Sequence, residues 1–368
     1  MTSGSSSQPA TAGRDPFDVA AFTERVNATI VSFLDEQRTV IGSISPHADE
    51  LIASINDLTV NGKRLRPRFA YLGFVGAGGD ADDEDVVRIG ASLELFQAAA
   101  LIHDDLIDRS DTRRGQPSVH RRFEALHRDA GWARDAARFG EAASVLAGDL
   151  CLSLSEQMFG TTTAPPAARR VYDAMRTQVM AGQFLDVLEE SAGPSYGSDE
   201  AVARARTIVR YKSAKYSTEN PMLLGGALAG AGDDLLKQYS AFALPLGEAF
   251  QLRDDVLGVF GDPATTGKPA GDDLREGKRT ELIAHALLLG TAADCEFVQK
   301  RLGADDLTTK EVTRMCRILI DSGALAATEA SISELSEQGF GALAALPVPA
   351  AVRDALRHLG LAAIRRTS

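Results

Sequence analysis

The sequence has 368 residues, 44% of them apolar and 24% charged, and its 51 acidic against 39 basic residues give a formal net charge of −12. Nucleic acids and anionic membranes attract clustered Lys and Arg, so this acid excess argues against either as the main partner. The three cysteines lie far apart and match no zinc or disulfide spacing, and no apolar run reaches the roughly 18 residues of a membrane span. We therefore expect a cytoplasmic protein without a membrane span.

Helical periodicity dominates the chain from residue 17 onward. Residues 1–16 are rich in Ser, Thr, Gly and Ala, and we expect them to form a disordered tail. Gly- and Pro-rich breaks are too short to link separate domains, and strand patterns are scarce. Apolar residues recur at three- and four-residue intervals, which predicts helices within 18–58, 82–107, 134–159, 167–190, 201–230, 235–260, 281–302 and 309–335. The sequence thus predicts an all-α fold, a single large helical domain over 17–368.

The strongest chemical signal follows an almost wholly apolar run, 93–102. Asp104 and Asp108 are four residues apart, so on a helix both carboxylates leave the same face and repel each other. At the end of a buried helix such a pair is costly unless a cation binds between them, and paired oxygen ligands suit Mg²⁺ bound with a substrate phosphate. Arg113 and Arg114 come next, and guanidinium groups bind phosphate oxygens well. The alternative is a helix cap or a solvated acidic face.

A second acidic pair, Asp254 and Asp255, follows another mostly apolar helical stretch. Alone, this pair could equally belong to the surface. Two such pairs in one helical chain are more specific, because two facing carboxylate clusters can hold several Mg²⁺ ions around one diphosphate.

Two basic segments accompany the acidic pairs. Three of the four residues in 63–66 are basic and stand at a predicted helix start. A basic run is usually solvated, but in an acidic protein it favours an anionic ligand. The Gly-rich segment 261–280 presents Lys268 and Lys278; its glycine spacing excludes a P-loop, although a loop that offers both lysines to a phosphate remains reasonable.

These four segments, in this order across roughly residues 60–280, resemble the trans-type isoprenyl diphosphate synthases, the head-to-tail polyprenyl synthetase family. The resemblance implies a helical bundle around a deep central cavity, a homodimer, and two acidic segments that face each other. It implies a Mg²⁺-dependent condensation of isopentenyl diphosphate with an allylic diphosphate, whether dimethylallyl, geranyl or farnesyl. Mg²⁺ and basic residues would neutralise the departing diphosphate, so that the allylic C–O bond ionises and the isopentenyl double bond attacks the cation.

The resemblance also assigns roles to residues. The metal ligands would be Asp104, Asp108 and Asp254, and the catalytic set would add Asp105, Lys212, Gln251 and Asp255. The substrates would be bound by Lys63, Arg66, Gln97, Arg113, Arg114, Lys212, Ser213, Gln251, Lys268 and Lys278. Two positions depart from the family pattern. Gln97 stands where many members have a His, so an amide that can donate a hydrogen bond but carries no charge replaces it. Gly258 stands where the second acidic motif often ends in Asp.

Product length can be argued from the helix before Asp104, because the resemblance implies that the growing chain runs along it. Ala99 and Ala100 are small and leave the upper tunnel open, whereas Phe96, one turn deeper, would form its floor. We therefore expect a twenty-carbon product, geranylgeranyl diphosphate. The alternative is that Phe96 is ordinary core packing.

Two other functions fit part of the pattern. A class I terpene cyclase resembles this chain in its fold and first acidic motif, but its second motif normally places Asn, Ser and Glu at four-residue intervals. A non-catalytic partner subunit of a prenyl synthase usually lacks Asp residues that are all present here. Both alternatives predict that the purified chain alone catalyses no condensation.

Overall fold

The structure is a computed structural model that describes residues 17–60, 62–193, 200–262 and 271–364. The tail 1–16, which we expect to be disordered, and Lys268 lie outside the described residues. The first half of the described chain forms α1 (Val19–Ile44), α2 (Asp49–Thr59), α3 (Leu65–Gly76), α4 (Glu84–Ile107), the strands β1 (Thr112–Arg113) and β2 (Gln116–Pro117), α5 (Val119–Asp129), α6 (Ala136–Gly160) and α7 (Pro166–Ala192).

The second half of the described chain is also helical, which confirms the predicted all-α class. It consists of α8 (Ala201–Ile208), a π-helical segment (Val209–Glu219), α9 (Asn220–Leu228), α10 (Asp233–Phe260), α11 (Asp272–Glu276), α12 (Glu281–Leu289), α13 (Ala292–Arg301), α14 (Thr309–Asp321), α15 (Ala324–Ala345) and α16 (Ala350–Ile364). In the π-helical segment the wider i→i+5 turn replaces the α-helical one, a form that often occurs at functional sites.

Local chemistry explains where several helices begin and break. The side chain of Asp18 accepts hydrogen bonds from two backbone N–H groups at the start of α1, and Thr308 and Glu311 form a capping box at the start of α14. The predicted helix over 18–58 is interrupted at Pro46, which starts a 3₁₀ turn because its ring removes the backbone N–H that α1 would need to continue. Gly323, with φ of 85°, separates α14 from α15.

Helix α4 lies at the centre of the fold and packs on α6, α3 and α1, while α10 packs on α15 and on the π-helical segment. Among the described helices, only α4 is long and apolar enough to span a membrane, and 72% of its apolar window is buried inside the fold. The helix is therefore apolar because it is surrounded by other helices. Its last turn carries the first acidic segment into a cavity.

Candidate active site

A cavity of about 710 Å³ is lined by side chains from several helices and from the segments that connect them. The residues singled out from the sequence that line it are Lys63, Arg66, Gln97, Ala100, Asp104, Arg113, Arg114, Lys212, Ser213, Gln251, Asp254, Asp255 and Lys278. Phe96, Ala99, Asp105 and Asp108 are not among its described lining residues. The cavity thus brings residues from five separate stretches of the sequence into one site.

The first acidic segment presents Asp104 to the cavity. Its Oδ1 lies 3.2 Å from Lys212 Nζ and accepts a hydrogen bond from Gln183 Nε2 at 3.2 Å, and its Oδ2 lies 3.5 Å from Arg113 Nη2. Burial by itself would raise the pKa of Asp104, but the ammonium groups of Lys212 and Lys278 and the Arg113 guanidinium lower that pKa to about 2. The carboxylate therefore stays ionised at any working pH.

Asp105 and Asp108 lie behind the cavity lining. Asp105 is buried and accepts two hydrogen bonds from the Arg113 guanidinium, which holds that arginine beside the acidic segment. Asp108 Oδ2 is 3.1 Å from Lys278 Nζ. Burial, and then repulsion from Asp104 four residues earlier, raise the pKa of Asp108.

A tight β-hairpin sends the two consecutive arginines in different directions. Thr112 pairs with Pro117 and Arg113 with Gln116, and the turn residues Arg114 and Gly115 both have positive φ, 54° and 74°. This is the backbone of a two-residue hairpin turn, in which glycine carries no steric penalty. Arg113 points to the first acidic segment, whereas Arg114 Nη1 donates to the backbone oxygen of Leu58 at the end of α2.

Helix α7 and the π-helical segment meet at Gly182, where a Cβ would lie 2.3 Å from the Lys212 backbone nitrogen. This close approach lets Asp186 bind the Lys212 ammonium, which also contacts Asp104. Burial would lower the pKa of Lys212, but Asp104 and Asp186 raise it, so the ammonium remains charged. Lys212 therefore lies between carboxylates from two helices.

The second acidic segment ends α10. Asp254 and Asp255 both line the cavity, and Asp255 Oδ1 accepts a hydrogen bond from Gln251 Nε2 at 2.8 Å. Burial, and then repulsion from Asp273, raise the pKa of Asp255 to about 8. The nearness of Asp273 follows from Gly258, because a Cβ at that position would lie 2.0 Å from Asp273 Oδ2.

Lys278 connects the two acidic segments electrostatically. Its ammonium is 2.7 Å from Glu276 Oε2 in addition to its contact with Asp108. Burial would lower the pKa of Lys278, but Asp273, Asp108 and Glu276 raise it well above its ordinary value. The two lysines therefore offset part of the negative charge of the carboxylates that surround them.

The basic segment before α3 is built on a buried ion pair. Arg64 adopts φ of 51° and donates to Glu94 on α4, Nη1 to Oε2 at 2.7 Å, and both side chains are buried. This pair anchors the backbone between Lys63 and Arg66, which both line the cavity. Lys63 is exposed there, whereas Arg66 Nη2 donates to Ser217 Oγ at 2.8 Å.

Of the three residues considered for product length on the helix before Asp104, Ala100 is the one among the described lining residues of the cavity. Ala99 and Phe96 are fully buried, and Phe96 packs edge-to-face against Tyr216 with ring centroids 5.5 Å apart. Tyr216 does line the cavity. An aromatic ring from the π-helical segment therefore lies between the cavity and Phe96.

The chemistry of these side chains fits Mg²⁺. Within the described ranges, no three His, Cys, Asp or Glu side chains form a metal-binding group by themselves. Paired carboxylates that leave positions for substrate oxygens are nevertheless typical of Mg²⁺ bound with phosphates. The buried Oδ2 of Asp108 contacts the Lys278 ammonium but meets no hydrogen-bond geometry within the described structure, and a carboxylate oxygen has capacity for a cation beside that contact.

Residues 49–319 match the family model described as polyprenyl synthetase. The chain belongs to the polyprenyl synthetase family. As a polyprenyl synthetase it is a prenyltransferase that makes trans-prenyl diphosphates, as the resemblance implied.

Several known polyprenyl synthetases resemble this one over most of their length. The geranylfarnesyl diphosphate synthase of Aeropyrum pernix is 30% identical over 83% of this chain and 91% of that protein. The geranylgeranyl diphosphate synthase of Methanosarcina mazei is 28% identical over 80% of this chain and 86% of its own. Relatives of this polyprenyl synthetase thus make products of more than one length.

A solved structure shares both fold and sequence. The crystal structure of geranylgeranyl pyrophosphate synthase from Corynebacterium glutamicum, complexed with isoprenyl diphosphate and magnesium, superposes with a TM-score of 0.89 and 38% identity. The match covers 95% of this polyprenyl synthetase and 100% of the Corynebacterium chain. A polyprenyl synthase from Caulobacter crescentus, complexed with calcium and isoprenyl diphosphate, has a TM-score of 0.76 at 26% identity over 97% of this chain and 100% of its own.

Sequence reasoning missed four further residues that line the cavity: Gln183, Asp186, Tyr216 and Asp273. Each touches a residue that the sequence did point to, but across a helix–helix contact. Gln183 and Asp186 are three residues apart on α7, a spacing that puts them on one helix face. Asp273 belongs to the Gly-rich segment already noted, where only the lysines drew attention.

Proposed function

We propose that this polyprenyl synthetase condenses isopentenyl diphosphate with an allylic diphosphate in a Mg²⁺-dependent reaction and releases mainly geranylgeranyl diphosphate. The observation that carries the proposal is a single cavity lined by two acidic segments and by Lys63, Arg66 and Arg114. Anionic substrates are attracted by the basic residues, and carboxylates hold the cation that neutralises a leaving diphosphate.

The reaction depends on charge and position. Arg113, Lys212 and Lys278, which already lie at the carboxylates, would bind the allylic diphosphate as its C–O bond ionises. Lys63, Arg66, Arg114 and Gln97 would hold isopentenyl diphosphate so that its double bond faces the allylic cation. The proton lost after the attack would go to the released diphosphate, so no side-chain base is required.

Asp104, Asp108 and Asp254 would hold Mg²⁺, with Asp105 and Asp255 beside them. The bound ion would supply positive charge to the departing diphosphate. The remaining roles belong to the chain: Asp105 holds Arg113 in place, and Gln251 donates a hydrogen bond to Asp255. Lys268, although outside the described residues, belongs by sequence to the same substrate-binding set.

The twenty-carbon product is supported by the small side chain of Ala100 at the cavity wall and by the aromatic pair of Phe96 and Tyr216 beyond it. Some relatives are named geranylgeranyl diphosphate synthases, and others are named for the geranylfarnesyl or the farnesyl product. We further propose that residues 17–368 form one catalytic domain, that the enzyme acts as a homodimer, and that it works in the cytoplasm.

The test is incubation of the purified protein with Mg²⁺, labelled isopentenyl diphosphate and each of the dimethylallyl, geranyl and farnesyl primers in turn. We expect a prenyl alcohol of twenty carbons after dephosphorylation, and at least about a hundredfold less product from Asp104→Asn, which removes a negative charge at the metal site without changing size. A product of another length would overturn the chain-length proposal. Absence of product with every primer would overturn stand-alone catalysis and favour the partner subunit or the cyclase.

A further inference from the structure

Tyr216 lies at the centre of a cluster that the sequence did not reveal. It comes from the π-helical segment, is buried, and lines the cavity. The Arg66 guanidinium stacks over one face of its ring, 4.1 Å from the centroid, and Phe96 packs against the ring at 68°. One side chain thus contacts both a basic residue of the site and the apolar core.

The hydroxyl of Tyr216 holds one end of the Gln97 amide. It donates a hydrogen bond to Gln97 Oε1 at 2.5 Å. Burial raises the pKa of Tyr216, so the phenol keeps its proton and remains a donor. With the amide reversed, Gln97 Nε2 could donate to the phenol oxygen, but the phenol proton would lose Oε1, the acceptor it has among the described residues. The bond therefore selects the orientation in which the donating end of Gln97 faces away from Tyr216.

Arg66 is held by the next residue of the same segment. Ser217 Oγ accepts from Arg66 Nη2, and the Tyr216 ring supports the guanidinium plane. Arg66 Nε is buried and has no hydrogen-bond partner within the described structure. A buried N–H of a charged group without an acceptor is costly, and a ligand oxygen would satisfy it.

We propose that Tyr216 is a positioning residue that holds Arg66 and Gln97 as one unit for the diphosphate of isopentenyl diphosphate. The ring orients the cation, and the hydroxyl turns the amide so that it donates to the same anion. An uncharged amide can bind a phosphate oxygen only when its N–H groups face that oxygen, which is what the hydroxyl ensures. This inference rests on the proposed function, because it names the substrate that the unit binds.

Tyr216→Phe removes the hydroxyl and keeps the ring. We expect the KM for isopentenyl diphosphate to rise about tenfold, the loss typical of one hydrogen bond to a charged group, with kcat within about twofold. The KM for the allylic primer should not change. Gln97→Leu should raise the same KM, and the double variant should be no worse than Gln97→Leu alone, since the hydroxyl acts through that amide.

The matched control is Tyr172→Phe. Tyr172 is fully buried in the same apolar cluster and its hydroxyl bonds to Ser92 and Ser155, but it does not line the cavity. Tyr172→Phe also removes a buried phenol hydroxyl, and we expect it to have wild-type KM values for both substrates. Thermal melts of both variants show whether the loss of a buried hydroxyl has affected folding in general.

Three results would overturn the inference: an unchanged KM for isopentenyl diphosphate in Tyr216→Phe, a parallel rise for both substrates, or effects that multiply in the double variant. Calorimetric titration with isopentenyl diphosphate separates this inference from the proposed function. If the wild type binds it about tenfold more tightly than Tyr216→Phe but forms no product, the positioning role holds and the proposed reaction fails. If wild type and variant bind equally, or neither binds, the positioning role is wrong.

Discussion

At residue 258, the absence of a side chain determines which carboxylate reaches the second acidic segment. The sequence showed glycine where a third Asp is common, as if an acidic ligand were missing. The structure places Asp273, from α11, in the space that a side chain at 258 would occupy. A carboxylate from a later helix therefore joins Asp254 and Asp255 at the cavity.

Gly258→Ala tests this arrangement. Its Cβ would lie 2.0 Å from Asp273 Oδ2 and 2.4 Å from Asp273 Cγ, so the carboxylate must move. We expect kcat/KM to fall at least about tenfold and the Mg²⁺ concentration for half-maximal rate to rise, because the charge beside Asp255 is displaced. Mg²⁺ titration of the steady-state rate measures both.

The control is Gly341→Ala, a helical glycine of α15 whose Cβ would meet nothing within 4 Å. It should leave the rate and its Mg²⁺ dependence unchanged. Wild-type behaviour of Gly258→Ala in the same titration would contradict a role for Asp273 in the site.

The acidic side chains could be predicted because their signal is local: Asp104 and Asp108 repel each other on one helix face, and the cost of that repulsion is readable from spacing alone. Asp273 and Tyr216 could not be predicted in the same way. Their roles depend on which helix packs beside them, and a single sequence contains no record of that contact. Asp273 lies against Gly258, and Tyr216 bonds to Gln97, only in the folded chain.

At the scale of elements, the π-helical segment shows the limit of periodicity. The pattern over 201–230 predicts helix, and the chain is helical from Ala201 to Leu228, but it changes to i→i+5 bonding over Val209–Glu219. A 3.6-residue template cannot detect that change. Its consequence is chemical, because Lys212, Ser213, Tyr216 and Ser217 all line the cavity from this one segment.

Helix α12 begins with a buried carboxylate that joins three elements. Glu281 is fully buried and accepts hydrogen bonds from Arg206 of α8 and Ser331 of α15, and it lies 3.2 Å from His285. Burial alone would raise the pKa of Glu281, but these partners lower it to about 2. Because the folded pKa is lower than in the unfolded chain, the stabilisation is complete above about pH 4.5 and is lost as the pH falls towards 2.

Glu281→Gln should therefore reduce the free energy of unfolding by about 2 kcal/mol at pH 7, a discounted value because Arg206 is half exposed and partly screened. At pH 3.5 the free energies of unfolding of the variant and the wild type should differ by less than they do at pH 7. Urea unfolding at the two pH values tests this, with Glu337→Gln, an exposed position on α15, as the control. An equal deficit at both pH values would show that charge at Glu281 is not the cause.

For the whole molecule, the packing of the apolar interior decides where the cavity ends. Phe96, Tyr172 and Tyr216 belong to one buried cluster, in which residues of α4, α7 and the π-helical segment pack together. The sequence predicted a floor at Phe96 from its distance to Asp104, but it could not show that Tyr216 would lie in between. The fold class was predictable because helix periodicity runs along most of the chain.

Phe96→Ala should lengthen the main product beyond twenty carbons, because removing the ring opens space behind Tyr216 that a growing chain can enter. Leu95→Ala is the control, since Leu95 is equally buried on α4 but belongs to a different cluster. Chromatography of the dephosphorylated products measures the length. A twenty-carbon product from both variants would leave Phe96 as core packing only.

The lysines at the acidic segments have a further consequence. Lys212 Nζ lies 3.2 Å from Asp104 Oδ1, and Lys278 Nζ lies 3.1 Å from Asp108 Oδ2. A Mg²⁺ ion at these carboxylates would compete with both ammonium groups for the carboxylate oxygens. A bound diphosphate would offer the displaced ammonium groups new oxygen partners. If the proposed Mg²⁺ and diphosphate bind here, we expect positive cooperativity, in which each raises the affinity of the other by the same factor. We therefore expect Mg²⁺ to bind more weakly alone than together with a diphosphate.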